Sequence, residues 1–182
     1  SEAASPGALL GQAKRAIDLG FDGFKMLEGK PGMRRRFAHP LDGPLYDPFF
    51  AWAEEKGLPI TMHSGDPDSF WHSQGDSKSP SPGGWSYDAT FPSLPQIRAE
   101  TEGILKRHPN LRLTLAHFFF LGDAPGEAAR LLDAYPGLCF DLTPGAEMFA
   151  GFTRRHDEWR DFFIRYQDRI LFGSDSDNWH SS

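Results

Sequence analysis

A repeated order of helix and strand constrains this chain more than any other feature. Residues 8–19 (ALLGQAKRAIDL) carry apolar side chains at helical spacing, and Gly20 follows as a C-cap. A short strand-like run, 21–27 (FDGFKML), comes next. The pattern recurs with helices over 46–56, 93–108, 126–135 and 156–167, followed by strands over 58–63, 111–119, 138–143 and 170–175. Five such units predict an α/β fold with a parallel sheet, because parallel strands can be joined only by a crossover, usually a helix. The strands read as buried on both faces. At 182 residues the chain is expected to form a single domain, 1–182, with its own core. Its 16 phenylalanines supply apolar area that a disordered chain lacks.

The connections are uneven. Turns from helix into strand are short, whereas the segments from strand into helix are long: 28–45, 64–92, 118–125 and 144–155. Active sites of parallel α/β folds form where the C-terminal ends of strands open into loops, and nearly all the extra sequence lies on that side. Segment 64–92 sets Phe70, Trp71, Trp85, Tyr87 and Phe91 around a polar core; all five are read as lining a pocket, with Trp71 and Trp85 as substrate contacts. A net charge of −6 speaks against nucleic acid or an anionic membrane as partner. No apolar run approaches the ~18 residues of a membrane span, and no signal peptide is visible at SEAASPGALL. Cys139 is the single cysteine, so no internal disulfide forms. A cytoplasmic protein acting on a small molecule is expected, and a homo-oligomer is left open.

Polar residues gather at the strand ends. Lys25 lies in FKML with Glu28 after it; His63 ends PITMH, His117 ends LTLAH, Asp141 and Thr143 end CFDLT, and Asp175 ends ILFGSD. By the two-residue period of a strand, Thr61 shares a face with His63, Leu113 and Leu115 with His117, and Leu171 with Asp175. If those faces point inward, two imidazoles and a carboxylate converge, a set suited to a divalent metal and to activating water. Each residue has a plain alternative. A strand-end histidine is more often a hydrogen-bonded structural residue, and GSD is often a turn. The basic run Lys30, Arg34, Arg35 and Arg36 reads first as solvated surface and second as a clamp for a substrate carboxylate through Arg34. His39, His72, His108, His156 and His180 read as loop or surface residues.

Through GFDGFKML, PITMHSGDP, LTLAHFFFLG and ILFGSDSDN the chain resembles the amidohydrolase superfamily, in the amidohydrolase-related branch that also contains decarboxylases. The resemblance implies a (β/α)8 barrel of the TIM type, with about five of its βα units present here. It implies that His63 is a metal ligand and that His117 is a ligand or polarises the substrate. Asp175 becomes the acid that touches the metal and shuttles a proton. Lys25 falls where some superfamily members carry a bridging lysine, a role usually absent from this branch. The implied cofactor is a divalent metal, Zn²⁺ first and Mn²⁺ second. The implied activity is metal-dependent hydrolysis of an amide, ester or lactone, with decarboxylation of an aromatic or unsaturated carboxylate as the alternative and a non-catalytic binding module third. Lys25, Glu28, Trp71, Trp85 and Arg34 are the expected substrate contacts. The family's His-x-His pair occurs nowhere in the sequence. The chain therefore reads as part of a longer barrel, with two sheet edges left open.

Overall fold

A computed structural model of the protein describes residues 5–72 and 86–175. Proline starts many of the helices, where its missing N–H costs nothing. It stands in the first turn of α1 (Pro6–Asp18), α2 (Pro31–Phe37), α3 (Asp47–Lys56), α5 (Leu94–Arg107) and α6 (Pro125–Ala134). Ser5 and Ser93 cap α1 and α5 by accepting from the Ala8 and Gln96 amides. Gly57 closes α3 in the left-handed conformation. The long segments contain further helices: α2 and α4 (Ser69–His72) in the first two, and α7 (Ala146–Arg154) ahead of α8 (His156–Arg165).

Five strands pair in parallel and in chain order: β1 (Phe24–Gly29), β2 (Ile60–Ser64), β3 (Leu113–Leu115), β4 (Leu138–Asp141) and β5 (Ile170–Leu171). Register separates the two faces. Met26 pairs with Met62, Ile60 with Leu113, Met62 with Leu115 and Leu115 with Phe140, and all of these are buried. The same core takes in Phe49 and Phe50 of α3, Ile97 and Ile104 of α5, Leu131 of α6 and Trp159 of α8. The Trp159 indole N–H is satisfied by the Gly122 carbonyl at 2.9 Å. The other face carries Lys25, Thr61, Thr114 and Cys139 in one cross-strand row, then Asp141 beside Leu171. Lys25, Leu27 and Leu171 on it are exposed. The expectation of strands buried on both faces is thus corrected: helices cover one face, and the other is open among the described residues.

Two strands fill only a small part of the runs expected of them. The run 111–119 is strand only over Leu113–Leu115, and 170–175 only over Ile170–Leu171. No helix among the described residues is long and apolar enough to cross a membrane.

Candidate active site

His63 lies at the C-terminal end of β2 on the open face, two residues beyond Thr61, which sits level with Lys25 and Thr114. Gly29 lets β1 approach this point. It pairs with Ser64, and a Cβ on it would collide with the His63 carbonyl.

His117 reaches the same place by a different route. Strict alternation from Leu113 and Leu115 aims position 117 at the helix-covered face, because those leucines pair with Ile60 and Met62. The chain instead leaves β3 at Leu115 and enters a tight turn, Ala116–Phe120. In this turn His117, Phe118, Phe119 and Phe120 all have φ between 53° and 55°. Left-handed backbone costs an L-residue roughly 1–2 kcal/mol, so four in succession must be held in place. Phe118 is fully buried against Phe140, Phe152, Trp159 and Phe162. The buried Asp141 carboxylate accepts from the amides of His117 (2.8 Å) and Thr143 (3.1 Å) through one oxygen. Arg98 donates to the Phe120 carbonyl at 3.2 Å. The turn brings the His117 imidazole edge-on to His63, ring centres 4.6 Å apart, and Phe120 stacks on His117 at 5.4 Å while also lying 5.7 Å from His63.

A hydrogen-bonded chain runs through the pair. His117 Nε2 lies 3.1 Å from His63 Nδ1, and His63 Nε2 lies 3.0 Å from Asp66 Oδ1. The Tyr87 hydroxyl donates to Asp66 Oδ2 at 2.5 Å. Burial, and then the neighbouring His63, push the pKa of His117 below the ordinary 6.5, while the charges of Asp175 and Asp141 pull the other way. Burial and the bond to Asp66 raise the Tyr87 phenol, which stays a donor.

Asp175 stands beyond β5, exposed and with φ 50°, and its charge and that of Lys25 both reach His117. Glu28 turns onto its own strand and accepts from the Leu27 amide. Trp71 is tied into the packing: its indole N–H donates to the Pro92 carbonyl, and its ring lies 4.8 Å from Tyr87. Trp85 lies outside the described residues. Arg34 departs from the expected clamp. It is buried, and its Nε and Nη2 donate to both oxygens of Glu100, at 2.8 and 3.0 Å. Glu100 also accepts from the Leu41 amide and from Gln96, so burial, which raises its pKa, is outweighed.

Three residues hold the site histidines in ways the sequence reading does not assign to them. Asp141 was visible only as a strand-end acid, and Asp66 only as part of HSGDP, three residues after His63. Nothing in the sequence connects Tyr87 to either.

The fit to a metal ion is partial. The donor types suit zinc, and 3.1 Å is close to the separation of two nitrogens each about 2.0–2.1 Å from one ion. A catalytic zinc site takes three protein ligands. Among the described residues, no three His, Cys, Asp or Glu side chains form a group that could hold a metal.

Solved structures share this arrangement of strands and helices. An uncharacterized TIM-barrel protein from Bordetella bronchiseptica aligns with a TM-score of 0.60 at 19% identity, over 95% of this chain and 51% of its own. A candidate amidohydrolase from Staphylococcus aureus gives 0.56 at 17%, over 93% and 58%. The 5-carboxyvanillate decarboxylase of Sphingomonas paucimobilis gives 0.55 at 14%, over 93% and 52%. At these identities the likeness is one of fold, and this chain spans between half and three-fifths of each neighbour's length. Its five strands are accordingly part of a (β/α)8-type architecture. A comparison with curated proteins finds no match. The family model for amidohydrolases (Amidohydro_2) matches residues 4–182, all but the first three, and the chain belongs to that amidohydrolase family.

Proposed function

We propose that this chain carries part of a metal-dependent hydrolase centre, built on His63 and His117, that adds water to the carbonyl of an amide, ester or lactone. The observation that supports it is the meeting of the two imidazoles on the open face, within reach of the charges of Asp175, Asp141 and Lys25. His63 and His117 are the residues that would hold the metal, zinc or manganese. When bound it supplies Lewis acidity, easing loss of a proton from water and polarising a carbonyl. Asp175 takes the proton from water as the water oxygen bonds to the carbonyl carbon. It returns that proton to the leaving nitrogen or oxygen as the bond to carbon breaks. Lys25 offers a cation on the same face. Arg34 has no part, since its charge is spent on Glu100.

A second reading, decarboxylation, is favoured by the same Lys25, which could hold a substrate carboxylate while Asp175 protonates the carbon that loses carbon dioxide. The test is a panel of amides, esters, lactones and aromatic carboxylates, assayed on the metal-loaded protein that carries this chain. Hydrolysis supports the first reading; carbon dioxide release without hydrolysis replaces it with the second. Asp175→Asn is expected to lower turnover at least ~10²-fold with an unchanged circular-dichroism spectrum. Near-normal turnover removes Asp175 from the mechanism.

A further inference from the structure

We infer that Asp66, itself held by the Tyr87 hydroxyl, is a positioning residue that keeps the proton of His63 on Nε2 and turns the Nδ1 lone pair toward His117. The inference rests on the reading of His63 as a site residue. Both oxygens of the Asp66 carboxylate face donors, His63 on one side and Tyr87 on the other. An acceptor so placed calls for a proton on His63 Nε2. In a neutral ring the other nitrogen then carries a lone pair, and the atom 3.1 Å from it is His117 Nε2. A histidine whose outer N–H is taken by a carboxylate, with its remaining nitrogen directed inward, is the arrangement that orients metal-binding imidazoles.

The chain builds this contact from both ends of a long segment. Gly65 has φ 82° and donates its amide to the Gly29 carbonyl, so the backbone folds back and sets Asp66 beneath the histidine three residues before it. Asp66 is 3% exposed and His63 7%, so neither bond competes with bulk water. Tyr87 enters from 21 residues later. Its amide donates to the Phe70 carbonyl at 2.8 Å, and its ring lies 4.8 Å from both Trp71 and Phe91. A hydroxyl carried on a ring held that way is aimed at Asp66 alone among the described residues. Tyr87 therefore links the far end of the segment to the tautomer of a site histidine.

The experiment is long-range ¹H–¹⁵N correlation spectroscopy of the ¹⁵N-labelled, metal-free protein at pH 8, with His63 assigned through His63→Gln. The expected spectrum shows His63 protonated on Nε2 and unprotonated on Nδ1, by at least about tenfold. That bias follows from a hydrogen bond to a charged acceptor, which is stronger than one between neutral groups. Asp66→Asn keeps shape but removes charge, and is expected to cut the bias at least about fivefold. Tyr87→Phe moves it in the same direction, with melting temperature and circular dichroism reporting that the fold persists. His63 protonated on Nδ1, or on both nitrogens, in the wild type overturns the inference. So does an unchanged Nε2–H pattern in Asp66→Asn, a variant that decides the matter even if Tyr87→Phe does not fold. The spectra need neither metal nor substrate, so the tautomer is read whether or not the protein hydrolyses anything.

Discussion

Arg34 shows how burial reassigns a residue. In the sequence it is one of three consecutive arginines and reads as solvated or substrate-facing. In the fold it is 8% exposed and locked in a two-point ion pair with Glu100. Removing one member of a buried pair leaves the other uncompensated, so Glu100→Gln is expected to cost about 3–5 kcal/mol in urea unfolding. Arg36→Gln, on an exposed position, should change stability by less than about 0.5 kcal/mol. His117 makes a pH prediction. Its folded pKa is below 6.5, so under acid conditions the unfolded chain takes up the proton first. Its contribution is intact above 6.5 and is lost as pH falls from there through the folded pKa, with a slope of at most about 1.4 kcal/mol per pH unit. His117→Gln should flatten that part of the curve of urea midpoint against pH; an identical curve would show that His117 does not titrate abnormally.

The turn after β3 decides the site at the level of elements. Phe118 and Phe120 share nearly the same strained backbone, φ 55° and 54°, but not the same packing. Phe118 is fully buried in an aromatic cluster, so Phe118→Ala should cost about 3–5 kcal/mol. Phe120 is half-buried, and glycine there relieves roughly 1–2 kcal/mol of left-handed strain while losing the stack on His117. Phe120→Gly is therefore expected to fall near neutral in melting temperature. A loss as large as that of Phe118→Ala would show that packing, not backbone, dominates at 120. Asp141 tests the other anchor. Alanine there strands two amide donors and should cost about 2–4 kcal/mol, whereas asparagine keeps an acceptor and should cost much less.

At the scale of the molecule, the sheet formed by the described residues has one covered face and one open face, with β1 and β5 at its margins. Leu27, Leu171 and Phe172 are exposed there, Phe172 by 88%. Unpaired edges and bare apolar surface favour association. The 182-residue chain purified alone is expected to elute from size-exclusion chromatography above its monomer mass of 20.4 kDa. Lys25→Glu, which alters charge on the open face but not area, should leave that largely unchanged. A monodisperse monomer at micromolar concentration would show that the open face is adequately solvated.

Local chemistry was enough to determine the alternation of helices and strands. Apolar spacing marks α1, α3, α5, α6 and α8, the first-turn prolines and Gly57 mark ends, β4 falls within the run expected of it, and β2 overlaps its run and ends one residue beyond it. The placement of His63 was legible for the same reason, since a regular strand obeys a two-residue period. Tertiary structure decided what periodicity cannot express. His117 faces His63 because its strand stops at Leu115 and four residues turn left-handed, held by Asp141, Arg98 and the aromatic cluster. Arg34 was settled by a partner 66 residues away, and Asp66 by a tyrosine 21 residues away. Such pairings depend on which side chains the packed backbone brings together, and no local propensity records them.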